Sequence, residues 1–327
     1  MTPILPRARP HEIFGYHRKN AAALNPMDAP VELAKHLLRS VVNVHVTVAR
    51  DHPSARILGT ERMGSGVIID GAGVILTVNY AVMGGHTIYV AFAEGRRAKA
   101  EIIAQDFDVG LAVLRVKRQG LPAVVPGSGK ALSRGDAVAA FATTGTHERR
   151  VSNGVVTQLG EFEAYWEYLL DLGIVASAQN PGFGGGGLFT PAGALVGILS
   201  LNLNEIARNS LSIPVEYYRD HEAEFLRYGR LESRARRAWL GVFAHAVDDG
   251  VVIAGVVPGG PGEQGGLREG DVVVSLDQRE VGSRRDLYLM LWQHAPGDRV
   301  AIEIMRDGAL KRVDVTGGDR AEFFRQP

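Results

Sequence analysis

Hydrophobic positions change their spacing along the chain, and the changes divide it. In "DAPVELAKHLLRSVVNVHVTV", Asp28 caps a helix and Pro30 sits near its first turn, while Leu33, His36, Leu37 and Val41 share one helical face. From Val42 the pattern turns to short β-branched segments. "GSGVIID", "GVILTV", "HTIYVAFA", "KAEIIAQ", "GLAVLRV" and "DAVAAFAT" are each bounded by glycine, proline or charge, which predicts a barrel or sandwich of short strands. The pattern runs on through "SNGVVTQLG", "ALVGILSL" and "LSIPV" to about residue 215. The next stretch, "EYYRDHEAEFLRYGRLESRARRA", is polar and arginine-rich and has no β-branched run. It predicts a helical connector whose charges form a solvated face. The block from Trp239 to about Val315 mixes strand-like runs with one amphipathic helix, "SRRDLYLMLWQH", opened by the capping pair Ser283 and Asp286. The expected division is an arm at 1–27, a strand-rich domain at 28–217, a linker at 218–237, a second domain at 238–318 and a tail at 319–327.

Composition narrows the classes of partner. The 327 residues include 36 basic and 36 acidic side chains, a formal net charge of +0, so nucleic acid is not the expected partner. With no cysteine, a disulfide scaffold, a thiolate zinc site and a cysteine nucleophile are excluded, and the sequence suggests no metal or other cofactor. No apolar run approaches the roughly 18 residues of a membrane span. Pro3, Pro6 and Pro10 interrupt the start, which lacks the apolar core of a signal peptide. As it stands the chain reads as cytoplasmic, and as periplasmic if the true start lies upstream.

The order "GSGVIIDGAGVILTVNYAV", "DFDVGLAVLRV", "VSNGVVTQLG", "QNPGFGGGGLFTPAGALVGI", "LSIPV" resembles the trypsin-like protease domain of the HtrA/Deg family. The tail "WLGVFAHAVDDGVVIAGVVPGGPGEQGGLREGDVVVSLDQREV" is similar to that family's PDZ domain. The resemblance implies a mainly β fold: a trypsin-like double β-barrel of antiparallel strands, a linker, and an α+β PDZ domain that binds peptide or protein C-termini. It also implies a homo-oligomer, a trimer, joined through the N-terminal segment, with Ile13, Phe14 and Tyr16 as candidate contacts.

Serine-protease chemistry needs a hydroxyl, an imidazole to take its proton, and a carboxylate to orient that imidazole. The family's histidine follows "ILTxN", and here that slot is Tyr80. Its aspartate directly precedes "LAVL", and here that slot is Gly110. Its serine lies in "NPGxSGGPL", and here that slot is Gly184. A phenol of pKa near 10 is a poor base. Asp106 and Asp108 would need a two- or four-residue slip to reach the aspartate slot and read as turn carboxylates. Rescue would have to come from Ser177, Ser200 or His86. The backbone amides of Gly182, Phe183 and Gly184 need no serine to form an oxyanion-type turn, and the four glycines Gly184 to Gly187 suggest a mobile loop, either relaxed or remodelled to hold an anion or carbonyl.

The PDZ half keeps more of its parts. Trp239, Leu240, Gly241 and Val242 read as the carboxylate-binding loop, with a peptide-pairing strand through Phe243. Gly241 permits the tight turn, and Leu287, Met290 and Leu291 give the helix an apolar face for groove or core. The expectation is a catalytically inactive HtrA-like pseudoprotease that binds peptides as scaffold, adaptor or holdase. The alternatives are a serine endopeptidase using displaced residues and a regulatory subunit in mixed oligomers with active paralogues.

Overall fold

Strands close into two barrels and one open sheet, some buried along their whole length, as at Val74–Val78 and Ser210–Pro214, and others alternating, as at Arg299–Arg306. The computed structural model describes residues 28–204, 208–247 and 250–325, so Ile13, Phe14 and Tyr16 lie outside the described residues. Helix α1 (Asp28–Ser40) leads directly into β1 (Val41–Val48). Leu37 is buried at the end of the helix and Leu33 packs on the same core, while the exposed His36 uses Nε2 to meet Ala123 O at 3.1 Å.

The first barrel comprises β1, β2 (Glu61–Asp70), β3 (Val74–Val78), β4 (Gly85–Ala91), β5 (Arg97–Asp106) and β6 (Leu111–Val116), closed in the order β1-β2-β3-β6-β5-β4. Two one-turn helices, α2 (Ala55–Leu58) and α3 (Asn79–Val82), sit in its loops. The second comprises β7 (Ala137–Thr143), β8 (Arg149–Ala164), β9 (Tyr168–Ala176), β10 (Gly187–Phe189), β11 (Leu195–Asn202) and β12 (Ser210–Pro214), closed as β10-β11-β12-β9-β8-β7. Val44, Ile75 and Leu114 of the first barrel share one apolar cluster with Phe141, Leu170 and Ile213 of the second. The barrels therefore bury each other's flanks and act as one body.

Strand β8 is 16 residues long and pairs with β9 out to Ala164 opposite Tyr168, leaving a three-residue tip, Tyr165, Trp166 and Glu167. Glu167 closes the tip at φ 55, the left-handed geometry a three-residue hairpin asks of its last position.

The connector is helical only in its first half. Helices α4 (Glu216–Arg219) and α5 (Glu222–Tyr228) end at Gly229, and the chain beyond them carries no regular element up to Val242. Arg219 and Arg227 stand exposed on these helices, as the sequence predicts, but the connector's arginines beyond Gly229 form no helix face. Arg234 reaches Asp106 at 2.8 Å and Asp108 at 3.3 Å, Arg237 reaches Asp108 at 3.2 Å, and the Arg237 guanidinium lies over the Trp292 ring. Pairing with carboxylates at the edge of the first barrel holds the segment extended against that domain.

The last domain is a sheet ordered β13-β14-β15-β17-β18, made of β13 (Val242–Val247), β14 (Gly250–Val256), β15 (Val272–Leu276), β17 (Arg299–Arg306) and β18 (Ala309–Thr316), with the short β16 (Arg279–Glu280) on β15. Helix α6 (Pro261–Gln264) and helix α7 (Arg284–Leu291) complete it. Ser283 caps α7, accepting from Asp286 N at 3.1 Å, as the sequence pair predicts. In the tail, α8 (Arg320–Arg325) returns to the seam between the domains, where Phe324 packs with Trp239, Phe107, Met83 and Val257.

Candidate functional site

The three slots that resemble a triad come together where the barrels meet. Tyr80 stands on α3, just after β3, and its Oη donates to Ser200 O at 2.9 Å. Gly110 is next to it, because Asn79 N donates to Gly110 O at 2.8 Å. Gly184 lies on the other side: a Cβ built there would be 1.9 Å from Tyr80 Oη. The phenol thus fills the space a serine side chain would need. Although Tyr80 as a residue keeps 37% exposure, its hydroxyl sits deep, and burial pushes the phenol up to about 12. A phenol held neutral that far above neutrality does not serve as a base. Gly110 sits at φ +78, and its missing Cβ faces the Tyr168 ring at 3.5 Å.

The turn after Asn180 uses its amides internally. Gly182 N donates to Asn180 Oδ1 at 3.1 Å and Phe183 N to Thr143 O at 2.8 Å. Two of the three donors expected to form an oxyanion-type turn are therefore engaged. Nor is the glycine run a mobile loop. Gly184 O accepts from Ser65 N, Gly185 N donates to Leu199 O, and Gly187 already belongs to β10. A Cβ at Gly185 would stand 2.1 Å from Ser65 O and one at Gly186 2.2 Å from Phe141 O. These glycines let two backbones approach, which is the packing use of glycine.

The displaced side chains have structural partners. Asp106 Oδ1 accepts from Asp108 N and Val109 N, a carboxylate-closed turn, and meets Arg234. Ser177 Oγ accepts from Val155 N at 3.0 Å, and His86 is exposed on β4. Ser200 enters the site through its carbonyl oxygen. Among the described residues a serine and a histidine side chain do meet, His52 Nδ1 and Ser54 Oγ at 2.7 Å. Both residues are buried, and Ser54 Oγ also bonds Met83 O and Arg62, so the pair braces a loop out of reach of substrate.

The carboxylate loop presents a different picture. Leu240 N donates to Glu167 Oε2 at 3.0 Å, while Gly241 N and Val242 N donate to Oε1 at 2.6 and 2.9 Å. The three amides the sequence assigns to a peptide terminus converge on a side-chain carboxyl of the β8–β9 hairpin. Burial raises the Glu167 carboxyl above its ordinary value, and the Arg320 charge and the three amides oppose that rise. Gly241 adopts φ +75, and a Cβ there would meet the Trp239 ring at 3.0 Å and Val257 at 3.3 Å. A larger residue would strain the loop itself as well as obstruct the carboxylate.

On α7 the side chains divide by turn. Leu287 and Leu291 are buried in the core of the domain, and Met290 packs at its edge. The residue that meets the hairpin is Tyr288, whose Oη donates to Ala164 O at 2.7 Å and accepts from Glu167 N at 3.0 Å. Phe243 lies 6.1 Å from the Tyr165 ring, and Trp239 packs on Phe323 and Phe324. Sequence reasoning missed Glu167 and Tyr288. The only sequence signal for Glu167 is its place at the end of a short aromatic turn, "AYWEY", far from the loop it reaches, and Tyr288 has none beyond its place in "SRRDLYLMLWQH".

Between the two sites lies an apolar cavity of about 410 Å³, with Tyr80, Gly110 and Ser200 on the barrel side, Trp239 and Phe243 on the other, and Trp166 along one wall. Among the described residues, no group of three or more His, Asp or Glu is placed to hold a metal ion.

A trypsin-like double barrel joined to a PDZ domain defines the class, and comparison with known proteins agrees. The trypsin-like peptidase domain profile matches residues 64–198, and the PDZ domain profile matches residues 238–316. A protein of Halomonas elongata named "Probable periplasmic serine endoprotease DegP-like" is 30% identical over 288 residues, covering 82% of this chain and 59% of its own length. "Serine endoprotease DegS" of Haemophilus influenzae is 29% identical over 290 residues, covering 84% of this chain and 83% of its own. This chain therefore spans about three-fifths of the DegP-like relative. The solved structure "HtrA-type protease AlgW with tripeptide" superposes with a TM-score of 0.55 at 25% identity, over 89% of this chain and 97% of that one. The chain belongs to the HtrA family.

Proposed function

We propose that this HtrA-family chain is a catalytically inactive pseudoprotease that binds peptides or partner proteins through its PDZ domain, as scaffold, adaptor or holdase. The observation that carries this reading is the meeting of Tyr80, Gly110 and Gly184: together they supply no nucleophile, no base and no orienting carboxylate, and the phenol fills the serine's space. The carboxylate loop supports the second half, since its amides hold a carboxyl already. Purified protein is expected neither to cleave unfolded casein nor to take up a serine-directed fluorophosphonate. Labelling that disappears when one named serine becomes alanine would establish the displaced-residue endopeptidase instead.

The same reading makes the protein a homo-oligomer, a trimer by family resemblance, assembled through Ile13, Phe14 and Tyr16 of the arm. Light scattering of the full-length and arm-deleted protein tests it, and a monomer mass in both removes it. For the compartment we propose the periplasm, supported by the DegP-like relatives, whose names use that word of those proteins.

A further inference from the structure

Strand β13 is the edge of the last sheet, and its neighbour across that edge is a piece of the same chain. Ala244 N donates to Tyr165 O at 2.6 Å, a ladder bond of the kind an added peptide strand makes. Two residues further along the hairpin, the Glu167 carboxyl holds the amides of Leu240, Gly241 and Val242. The hairpin tip thus offers two contacts of a C-terminal peptide, a backbone carbonyl on the strand edge and a carboxyl on the loop amides, although no chain ends there.

Glu167 occupies its position against a local preference. At φ 55 a residue with a side chain is disfavoured by about 1–2 kcal/mol, and glycine would adopt the turn freely. Such strain persists where the surroundings enforce it. Here they do, through the loop amides on the carboxyl and the Tyr288 hydroxyl on the Glu167 amide. Helix α7 adds charge: Arg284 meets Glu163 at 2.9 Å, and Arg285 grips Glu161 with two bonds of 2.6 and 3.1 Å.

The contact also contains its own weakness. Glu163 Oε2 and Arg284 Nε are both buried without a protein partner among the described residues. Each such atom carries a desolvation cost that undocking would relieve.

We propose that Glu167 is a built-in ligand of the carboxylate loop, so that the β8–β9 hairpin closes the PDZ groove until a peptide with a free C-terminal carboxylate displaces it. This deepens the peptide-binding reading and rests on it. Displacement exchanges one carboxyl and one backbone contact for those of a peptide at the same atoms, so hairpin and peptide exclude each other. It also frees Trp166 from the wall of the interdomain cavity and opens that apolar space to a client.

The test uses the full chain and fluorescein-labelled decapeptide pools ending in valine, leucine or phenylalanine, each as free acid and as amide, read by polarisation. Glu167→Ala is expected to bind the acids at least tenfold more tightly than the wild type, with no gain for the amides. Equal acid affinity in both proteins overturns the latch and leaves peptide binding standing. Absence of acid binding in both overturns peptide binding, and the latch with it. Hydrogen exchange on the unliganded proteins guards against misfolding. In Glu167→Ala the amides of Leu240, Gly241 and Val242 should exchange faster, with Ile253 and Ile302 in the domain core unchanged. Loop protection that stays at the wild-type level refutes the latch by a second route.

Discussion

The catalytic slots and the carboxylate loop face one cavity from opposite sides, and they differ in where their chemistry resides. The first depends on three side chains contributed by three separate loops, and at those positions stand a phenol and two glycines. The second depends on backbone amides, which remain wherever the turn remains. A single left-handed glycine, Gly241, is enough to aim them. Side-chain chemistry can thus disappear by point substitution while the fold is kept, whereas backbone chemistry is lost only with the fold. In this molecule the amides of the carboxylate loop are also occupied, by a carboxyl from the double-barrel domain that carries the three slots.

The sharpest way to break this contrast is to refill the emptied site. A working triad is worth about a millionfold in turnover. Even so, the triple change Tyr80→His, Gly110→Asp and Gly184→Ser is expected to leave casein hydrolysis at background. The reason is backbone geometry. Position 110 lies at φ +78, where aspartate is strained, and two of the amides around Gly182 are already engaged. Turnover restored by the triple change would show that side chains alone were lost. Gly184→Ser by itself places a Cβ 1.9 Å from Tyr80 Oη, and overpacking of this kind costs about 1–3 kcal/mol. Urea denaturation should show that loss shrink on a Tyr80→Ala background.

A second test asks whether the surviving loop depends on its own domain. Asp271 makes two bonds to Arg306, of 2.5 and 2.6 Å, and accepts from Arg268 N at 2.8 Å. Burial alone would raise the Asp271 carboxyl, but the Arg306 and Arg268 contacts outweigh it and hold it below the ordinary range. A carboxyl lowered on folding gives stability that is complete above its unfolded value, near pH 4, and lost as pH falls through the folded value. Exchange at Val273 and Ile304 should therefore quicken below about pH 4 in the wild type. Asp271→Asn, which removes the charge opposite Arg306 while Arg306 keeps its bond to Gly266 O, should cost about 1–3 kcal/mol at pH 7 and flatten that acid limb. An acid limb of wild-type steepness in the variant would remove Asp271 as its cause.

How much of this was legible beforehand follows the same division. The two barrels and the last sheet are written in short β-branched segments bounded by glycine, proline or charge, and Ser283 with Asp286 marked the start of α7 correctly. Flanking motifs point to Tyr80, Gly110 and Gly184, and the structure sets these three side by side. The second half of the arginine-rich connector misled because a polar run without β-branched residues fits a helix as well as an extended strap. Only the positions of Asp106, Asp108 and Trp292 in space decide between them. The glycine run misled for the opposite reason, since backbones that must touch and a loop that is free to move ask for the same residue. Glu167 was invisible because its partners lie more than 70 residues away, at Leu240 to Val242, and nothing local in "AYWEY" names them.

The smallest expected effect falls on the hydroxyl that joins the two regions. Tyr288 is fully buried, and its Oη bridges Ala164 O and Glu167 N. Tyr288→Phe keeps the ring, which packs in the domain core and stacks on Trp292, and removes only the bridge. A buried amide and a buried carbonyl then lose this shared partner, at a cost of about 1–3 kcal/mol, reduced wherever water enters the seam. That cost belongs to the docked hairpin and not to the core of either domain. Exchange at the Glu167 amide should consequently rise roughly tenfold, while Ile253 and Ile302 keep their wild-type rates. If those core amides accelerate equally, Tyr288 supports its own domain and the hairpin contact is incidental. A rise confined to the hairpin and to Leu240, Gly241 and Val242 means that helix and loop hold the hairpin together.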